Sequence, residues 1–532
     1  MGFELSEVRW SVQDRHPEEH CNSMYSPTLD EFRQLSQTAN LIPVVRRLLA
    51  DFETPFSAYS KIRGQGDSFL FESVEGGEHL GRYSFLGCNP RAVIRQTESR
   101  VDVLENGKVK ETFQVRQNAL PGDATSVKDG LAVVERILGR YTPAPVPGLP
   151  RFTGGAVGFI GYEFIHDVEP VIARPSKDEL QTPVMYFLIA DELLIFDRVT
   201  QTITVLVNAV VEPGVSAEVT YEDAVAEVDR LVSLLEQPTE AIPLSVPTQV
   251  DDVPFTSNQA PETFYANVLK AKEYITAGDI IQVVGSQRFS TPFRASASDL
   301  YRAARMINPS PYMFLLELQG FSLVGASPEI HVRCEDHRVE IRPIAGTRRR
   351  GHNNEEDLAL EKELLADPKE RAEHVMLVDL ARNDIGRVCD FGSVQVRDLM
   401  IIERYSHVMH IVSQVEGHLS EDKTPYDLMR ATFPAGTLTG APKIRAMQII
   451  SGMEQTQRGP YGGCVGYFSF NGNLDCCITI RTALVKDGKA YVQAGGGWVN
   501  DSNPEAEFQE TVNKAKAMLK AVALAESFRT QH

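Results

Sequence analysis

Two pairs of glutamates stand three residues apart within helical patterns. Glu370 and Glu373 lie in the segment KERAEHVMLVDLARND, and Glu507 and Glu510 lie in PEAEFQETVNKAK. This spacing places both carboxylates of a pair on one helix face. In an acidic chain such a pair is usually a solvated face, but the apolar run 375–380 after the first pair indicates a helix that enters a core. Carboxylates without a His or Cys cluster would select Mg²⁺.

Three further features could bind an anion. The consecutive glycines Gly495, Gly496 and Gly497 would let backbone N–H groups approach a ligand carboxylate closely, although a plain turn at a strand end also explains them. Arg481 interrupts an apolar strand pattern, where it could clamp a carboxylate with two hydrogen bonds or lie on an exposed face. His410 lies in a predicted strand, and a single histidine there is more often structural than catalytic. Each feature alone is compatible with a structural role.

The elements that would position these residues divide the chain into unequal parts. A predicted amphipathic helix at 41–52 is followed by short β-rich runs as far as residue 208. Prolines are frequent within 238–261, where they exclude a helix or a central strand and mark a boundary. Further helices are predicted at 221–235, 262–277, 355–381, 425–431, 443–451 and 505–527. We expect a polar arm at 1–40, an amino-terminal region at 41–237, a linker at 238–261 and a carboxy-terminal domain at 262–527.

The order of the predicted elements indicates the fold class. Strands and helices do not alternate strictly, and no Gly-rich dinucleotide fingerprint occurs. We therefore expect an α+β fold in which antiparallel β-sheets pack as a sandwich with helices on the outside. The segments 154–159 and 462–467 are alike, with sequences GGAVGF and GGCVGY, which indicates related turns in two halves or a chance similarity.

The composition excludes several functional classes. A formal net charge of −19 repels polyanions, so we expect no nucleic-acid binding, although a local cationic cluster could still bind a small anion. The seven cysteines form no CxxC pair, which argues against a zinc site or a disulfide framework. The amino terminus lacks an apolar signal segment, and no apolar run of about 18 residues occurs. We expect a cytoplasmic protein without a membrane span.

Eight segments together resemble the chorismate-utilising enzyme family. They cover about residues 260–525 and are, in order, PIAGTRRRG, AEHVMLVDLARND, RYSHVMH, GTLTGAPK, YGGCVGYF, IRTAL, QAGGG and ExxET. The segments FLFES at 69–73 and FTGGAVGFIGYE at 152–163 are similar to the amino-terminal portion of anthranilate synthase large subunits. The resemblance implies a lyase that converts chorismate and ammonia to anthranilate and pyruvate, the first step of tryptophan biosynthesis.

The resemblance also implies which residues bind the metal and the substrate. Glu373 and Glu510 would hold Mg²⁺, with support from Glu370 and Glu507, and the ion would bind the ring carboxylate of chorismate. Arg481 is suited to the enolpyruvyl carboxylate. The implied chorismate pocket consists of Gly346, Thr347, Tyr461, Arg481, Gly495, Gly496 and Gly497.

Catalytic roles and the type of reaction follow from the same resemblance. Glu329 resembles the general acid for the departing 4-hydroxyl, and His410, with Thr437, resembles the group that assists pyruvate elimination. Family members that add water carry a lysine base where this chain has Gln282, and aminodeoxychorismate synthases often carry a lysine where it has Ala345. Amination at the ortho position is therefore expected. A phenazine-type 2-amino-2-deoxyisochorismate synthase and a non-catalytic regulatory subunit remain alternatives.

Feedback inhibition and a partner protein are implied as well. The family's tryptophan site maps onto Glu72, Ser73, Pro311, Tyr312 and Met313, and Phe71 replaces the usual leucine beside it. We expect inhibition by tryptophan to be retained. The segment 462–466 superficially resembles a glutaminase nucleophile elbow, but Tyr467 and Phe468 follow it instead of His-Gln, and the chain stops soon after ExxET. Ammonia would thus come from a separate glutamine amidotransferase subunit, component II, or from solution.

Overall fold

Two large β-sheets form the centre of the protein in a computed structural model that describes residues 24–64, 66–74, 81–117, 123–239, 243–405 and 408–529. Elements are numbered in chain order. The first sheet has 12 strands in the described residues, and its spatial order begins β1-β11-β10-β3-β2-β14-β15 and continues β24-β25-β13-β12, with β21 paired to β13. These strands are β1 (Leu41–Leu49), β2 (Ser68–Glu72), β3 (Tyr83–Cys88), β10 (Glu192–Asp197), β11 (Thr202–Val210), β12 (Thr256–Ser257), β13 (Gln282–Pro292), β14 (Tyr312–Leu318), β15 (Phe321–Ser327), β21 (Gly440–Ala441), β24 (Thr482–Lys486) and β25 (Lys489–Trp498).

The second sheet has 13 strands in the same described ranges, in the order β18-β20-β17-β16-β23-β22-β8-β9-β4-β5-β6-β7, with β19 paired to β20. These strands are β4 (Ala92–Thr97), β5 (Arg100–Glu105), β6 (Lys108–Val115), β7 (Ser126–Val127), β8 (Gly155–Ile160), β9 (Met185–Ala190), β16 (Ile330–Glu335), β17 (Arg338–Ile341), β18 (Ile344–Arg349), β19 (Gln395–Arg404), β20 (Val408–His418), β22 (Cys464–Ser469) and β23 (Leu474–Ile478). Most neighbouring strands are antiparallel, whereas β6 and β7 are parallel.

Helices cover the outer faces of the two sheets. They are α1 (Leu29–Leu35), α2 (Pro55–Ile62), α3 (Leu131–Leu138), α4 (Ile165–Val168), α5 (Ala217–Glu236), α6 (Pro261–Thr276), α7 (Ala297–Ile307), α8 (Asn354–Ala366), α9 (Pro368–Gly386), α10 (Pro425–Thr432), α11 (Lys443–Met453) and α12 (Pro504–Phe528). The apolar residues of α5, α7 and α12 pack on the first sheet, and those of α3, α9 and α10 pack on the second. Short 3₁₀ turns at Tyr162–Phe164 and Gly436–Leu438 complete the list.

Apolar side chains of both sheets meet in a shared core. Phe69 and Phe85 of the first sheet and Phe159 and Tyr186 of the second sheet belong to one buried cluster. Since helices cover the opposite faces, the arrangement is a sandwich of two sheets with helices outside. The predicted α+β sandwich is confirmed.

One predicted helix is wrong. Residues 41–52 were expected to be helical because apolar residues recur there at helical spacing, but Leu41–Leu49 form strand β1, which pairs antiparallel with β11. The β-branched Ile42, Val44 and Val45 are buried, and such side chains pack well in a pleated sheet. Tertiary pairing therefore overrides the local pattern.

The remaining predicted helices are present, with one division. The segment 355–381 contains α8 and α9, because Asp367 caps the second helix and Pro368 occupies its first position. Of the arm predicted at 1–40, residues 1–23 lie outside the described residues, and the described remainder includes α1, whose Phe32 is buried. Strands from both sides of the segment 238–261 share both sheets, and the division into domains stays a prediction.

The two similar glycine segments form neighbouring strands. Strand β8 pairs with β22, and Gly158 lies opposite Gly466. A Cβ at Gly158 would collide with the carbonyl oxygen of Tyr186, and one at Gly466 with that of Asp475. The likeness thus reflects a shared close approach to the next strand, not two separate turns.

Candidate active site

One cavity of about 550 Å³ contains every residue predicted to act in catalysis, metal binding or chorismate binding. It lies where β13 and β25 of the first sheet meet β18 and β20 of the second sheet and the first turns of α9 and α12. The predicted residues that line it are Gln282, Glu329, Gly346, Thr347, Glu370, Glu373, His410, Thr437, Tyr461, Arg481, Gly495, Gly496, Gly497, Glu507 and Glu510.

The four glutamates come from the beginnings of two helices. Asp367 caps α9 and Asn503 caps α12 through hydrogen bonds to backbone N–H groups, so both helix amino termini are fixed near the cavity. Positive helix ends favour nearby carboxylates. Burial raises the pKa of Glu373, and the charge of Glu370 adds to this shift, whereas a hydrogen bond from Gln282 opposes it.

The same carboxylates carry partial counter-charges. Oε1 of Glu370 lies 3.2 Å from Nη1 of Arg348, and Oε1 of Glu510 lies 2.7 Å from Nζ of Lys514. Glu507 accepts a hydrogen bond from Ser502 at 2.6 Å through Oε1, whereas its buried Oε2 has no hydrogen-bond partner. Burial raises the pKa of Glu507. The four glutamates therefore concentrate negative charge in the cavity, and nearby cations neutralise only part of it.

A magnesium ion fits this donor set. All the donors are carboxylate oxygens, which Mg²⁺ prefers, and the orphaned Oε2 of Glu507 offers one unused ligand atom. In the described residues no three His, Cys, Asp or Glu side chains already converge as a ligand set. Two of the four carboxylates are instead paired with cations: Glu510 with Lys514 and Glu370 with Arg348. These ion pairs are consistent with the lack of a converged ligand set.

Glu329 is buried in the wall of the cavity. Burial raises the pKa of its carboxyl to about 8, while the Thr437 hydroxyl and the charge of Lys514 each lower it in part. Its backbone carbonyl accepts a hydrogen bond of 3.0 Å from the N–H of Ile478 in β23. A carboxyl that is protonated at neutral pH can donate a proton to a leaving oxygen.

His410 faces Thr347 across two paired strands. Gly346 has a φ of 69° and lies at an irregularity in the register between β18 and β20, which brings Thr347 opposite His410. Nδ1 of His410 lies 3.0 Å from the carbonyl oxygen of Gly346, which can only accept, so this nitrogen carries the proton and Nε2 is the basic one. Burial lowers the pKa of His410 and favours this neutral form.

Arg481 lies in the turn between β23 and β24, not within a continuous strand as expected. Its φ of 51° is unusual for a residue other than glycine, and such strained positions are found preferentially at functional sites. Nη1 of Arg481 donates to the backbone carbonyl of Lys514 at 2.6 Å. The side chain is thereby held between the turn and α12.

The three glycines belong to strand β25, where they directly precede its last residue, and do not form a turn. They are required by space, because each Cβ would meet a cavity residue: one at Gly495 would lie 2.7 Å from the hydroxyl of Tyr461, and one at Gly496 would lie 3.1 Å from Oε2 of Glu507. A Cβ at Gly497 would collide with the amide of Gln282. The glycines therefore keep this wall open.

The comparisons with known proteins agree with this geometry. The family of chorismate binding enzymes matches residues 68–520. The chain belongs to this family. It is 47% identical over 509 residues to anthranilate synthase component 1 of Acetivibrio thermocellus, across 95% of this chain and 100% of that relative. It is also 47% identical over 502 residues to anthranilate synthase component 1 of Pseudomonas aeruginosa, across 93% of this chain and 99% of that relative.

A solved structure shows the same likeness. Anthranilate synthase component I from Streptococcus pneumoniae superposes with a TM-score of 0.70 and 36% sequence identity, covering 89% of this chain and 99% of that chain. The predicted similarity to anthranilate synthase large subunits is confirmed. Among the residues that the structure describes, no helix combines the length and the apolar character needed to cross a membrane.

Two lysines of this chorismate-binding enzyme were missed by the sequence reasoning. Lys369 and Lys514 line the cavity, and Nζ of Lys514 donates to the carbonyl oxygen of Gly495 at 3.0 Å as well as contacting Glu510. Lys514 follows Glu510 by four residues on the same helix face, and this spacing could have revealed it. Both lysines add positive charge to the cavity wall.

A second cavity of about 400 Å³ contains all the residues predicted for tryptophan, namely Glu72, Ser73, Pro311, Tyr312 and Met313. Its wall also includes the aromatic residues Phe71, Tyr83, Phe85 and Tyr467 and the cations Arg82, Arg151 and Arg333. Oε2 of Glu72 accepts hydrogen bonds from Tyr301 and, at 3.2 Å, from Arg305. The cavity is thus amphipathic, with an aromatic wall and charges of both signs.

Strand β23 connects the two cavities. Its Asp475 lines the second cavity and accepts a hydrogen bond of 2.9 Å from the hydroxyl of Tyr312. The same strand ends at Ile478, whose N–H binds the carbonyl oxygen of Glu329. Across the first sheet, Tyr312 also pairs with Ser327, two residues before Glu329. Strand pairing and hydrogen bonds therefore join the second cavity to the backbone of Glu329.

Proposed function

We propose that this protein is the chorismate-binding subunit of an anthranilate synthase, which converts chorismate and ammonia to anthranilate and pyruvate. The observation that carries the proposal is the cavity in which a buried acid, a neutral histidine, an arginine and two glutamate pairs face one space. The similarity to anthranilate synthase component 1 along almost the whole chain supports it. Each of these groups matches one requirement of the reaction.

Chorismate carries two carboxylates, and the cavity offers separate positions for them. Glu373 and Glu510, supported by Glu370 and Glu507, would hold Mg²⁺, which when bound supplies positive charge for the ring carboxylate. Arg481 is proposed to bind the enolpyruvyl carboxylate with charge-assisted hydrogen bonds. Both ends of the substrate would then be fixed, so that the ring faces Glu329 and His410.

In the first stage, ammonia forms a C–N bond at the ring carbon ortho to the carboxylate, and the C–O bond to the 4-hydroxyl breaks. Glu329, protonated at neutral pH because burial raises its pKa to about 8, gives its proton to the departing oxygen, which leaves as water. Thr437 lines the same cavity, and its hydroxyl lowers the pKa of this carboxyl in part. The added nitrogen then loses a proton and becomes the amine.

In the second stage, a proton is removed from the aminated ring carbon, and the C–O bond between the ring and the enolpyruvyl group breaks. Nε2 of His410 is the basic nitrogen, since Nδ1–H is committed to the carbonyl oxygen of Gly346. His410 therefore takes the ring proton, pyruvate departs as its enol and gains a proton, and the ring becomes aromatic. Loss of one C–H proton and one C–O bond balances the step.

Gln282 favours ammonia over water as the nucleophile. The side chain is buried in the cavity wall between Gly497 and Glu373. Its neutral amide cannot remove a proton from water, whereas ammonia attacks without such a base.

The runner-up is a phenazine-type 2-amino-2-deoxyisochorismate synthase, which would omit the second stage. The basic Nε2 of His410 favours the complete reaction.

Three further parts of the proposal concern the source of ammonia, the location of the enzyme and its inhibition by tryptophan. Ammonia would come from a glutamine amidotransferase subunit, and the enzyme would work in the cytoplasm. Tryptophan would inhibit it from the second cavity, where the aromatic wall suits an indole ring, the arginines suit the carboxylate and Glu72 suits the ammonium group. Strand β23 would carry the effect to Glu329.

The proposal is tested by mixing the purified chain with chorismate, Mg²⁺ and ammonium and following the fluorescence of anthranilate. Appearance of anthranilate supports the proposed function. Amination that stops at 2-amino-2-deoxyisochorismate would support the runner-up, and unchanged chorismate would support a regulatory subunit.

A further inference from the structure

Arg458 is an almost completely buried arginine behind the wall of the active-site cavity, with 2% of its surface exposed. Its Nε and Nη2 atoms bind the two carboxylate oxygens of Glu454 at 2.7 Å each. This is the bidentate geometry that makes an arginine–carboxylate pair directional. No part of the proposed chemistry uses either side chain.

The remaining hydrogen bonds of this ion pair reach segments that form the cavity. Nη1 of Arg458 donates to the carbonyl oxygen of Leu438 at 2.9 Å, and Nη2 donates to that of Val284 at 2.8 Å. Oε1 of Glu454 accepts from the N–H of Ser286 at 2.7 Å and from its hydroxyl at 2.9 Å. The pair thus joins the Gly436–Leu438 turn to strand β13.

The pair is itself clamped from the amino-terminal half of the chain. The carboxylate of Glu163 accepts hydrogen bonds from the backbone N–H groups of Arg458, at 2.7 Å, and of Gly459, at 2.9 Å. The guanidinium of Arg458 lies 4.6 Å from the ring centroid of Tyr162 on one side and 5.7 Å from that of Tyr461 on another. Tyr461 is a residue of the proposed chorismate pocket.

We infer that the Glu454–Arg458 pair is a positioning device for the proposed reaction: it fixes the Gly436–Leu438 turn, which carries Thr437, and the ring of Tyr461 in the wall of the cavity. The inference rests on the proposed function. Thr437 immediately precedes Leu438, so the hydrogen bond to the Leu438 carbonyl sets where the Thr437 hydroxyl lies. Strand β13, held by the same guanidinium, carries Gln282.

The chemistry of the pair argues for positioning rather than simple stabilisation. A buried ion pair costs desolvation, and apolar residues of similar volume often replace such a pair without loss of stability. Arginine at this position satisfies two carboxylate oxygens and two carbonyl oxygens at fixed angles. Lysine has a single nitrogen and cannot meet this set of directions, so the conservative substitution removes the geometry while it keeps the charge.

The test compares three variants of the full chain in the anthranilate assay at constant free ammonia. Arg458→Lys is expected to lower kcat at least about tenfold, with a smaller change in KM for chorismate. It should also move the alkaline limb of the kcat profile to higher pH, because the Thr437 hydroxyl no longer lowers the pKa of Glu329. Thr437→Val should shift the limb in the same direction, and the charge of Lys514, which also faces Glu329, is kept in both variants.

Arg430→Lys is the matched control, because Arg430 forms a buried ion pair with Asp129, at 2.8 Å, among residues that do not line the cavity. It should lower the unfolding temperature and leave kcat per folded molecule and the pH limb unchanged. If Arg458→Lys behaves in the same way, the inference is wrong.

A second variant is needed if Arg458→Lys fails to fold. Glu454→Gln keeps the shape of the side chain and must then shift the alkaline limb of the kcat profile in the same direction. An unshifted limb would overturn the inference. Inactive wild-type protein would instead contradict the proposed function.

Discussion

Oγ1 of Thr347 lies 3.1 Å from Nδ1 of His410, the same nitrogen that contacts the carbonyl oxygen of Gly346. This arrangement fixes the histidine as a neutral ring whose Nε2 is basic. The relationship depends on the irregular register at Gly346, because regular pairing would shift Thr347 away from His410. This strand irregularity thus helps to select the tautomer that the proposed second stage would use.

The first prediction concerns this histidine. His410→Ala should remove the base for the ring proton and leave the amination of chorismate intact, since Glu329 serves the first stage. The variant is expected to consume chorismate, accumulate 2-amino-2-deoxyisochorismate and release pyruvate about 100-fold more slowly. Chromatography with mass detection measures the intermediate. Equal loss of amination and elimination, without an intermediate, would contradict the two-stage assignment.

The second prediction concerns the pH dependence set by Glu329. The carboxyl is the acid only while protonated, and burial raises its pKa to about 8, so kcat should fall as the pH rises through about 8. Since more free ammonia forms at higher pH, the profile must be measured at constant free ammonia. Glu329→Gln should lower kcat about 100-fold or more and abolish this limb. Persistence of the limb in the variant would assign the ionisation to another group.

The third prediction concerns metal binding independently of activity. Mn²⁺ can replace Mg²⁺ at carboxylate sites and is observed directly by electron paramagnetic resonance. Glu510→Gln should weaken Mn²⁺ binding at least about tenfold, whereas Glu222→Gln is a suitable control because Glu222 is exposed on α5 and does not line the cavity. Equal affinity of both variants would exclude Glu510 as a ligand.

The fourth prediction concerns the second cavity. Ser73→Phe should fill part of its volume of about 400 Å³ and raise the tryptophan concentration for half-inhibition at least about tenfold, with kcat retained. Ser233→Phe, on an exposed part of α5, is the control and should leave inhibition unchanged. An inhibition titration distinguishes them. Wild-type protein that keeps full activity at saturating tryptophan would refute the regulatory role of this cavity.

The residues of the site were predictable because they stand in short contiguous motifs. The glutamate pairs have a spacing that fixes their common helix face, and both pairs lie in helices, at 368–386 and 504–528, although the helix predicted at 355–381 divides at Asp367. The other site residues were predicted from the family resemblance, which rests on eight motifs in a fixed order. By contrast, Arg458 and Glu163 lie 295 positions apart, and no local pattern reveals that a carboxylate from one half binds the backbone of the other.

The secondary-structure predictions that were wrong also failed because of contacts with residues distant in the chain. At residues 41–52 the apolar spacing predicts a helix, yet pairing with β11 produces a strand at Leu41–Leu49. At Arg481 the apolar alternation predicts a continuous strand, yet a φ of 51° interrupts it and directs the side chain to α12. Both outcomes depend on partners distant in the chain, which local periodicity does not contain.

The measurement that tests the central claim most directly is the stoichiometry of products from chorismate, Mg²⁺ and ammonium. Anthranilate fluorescence and pyruvate release should appear together in equal amounts, and both should be lost in Glu373→Ala, while Glu222→Ala, at an exposed position outside the cavity, retains them. Amination without pyruvate, or no reaction by a folded wild-type protein, would contradict the assignment as an anthranilate synthase.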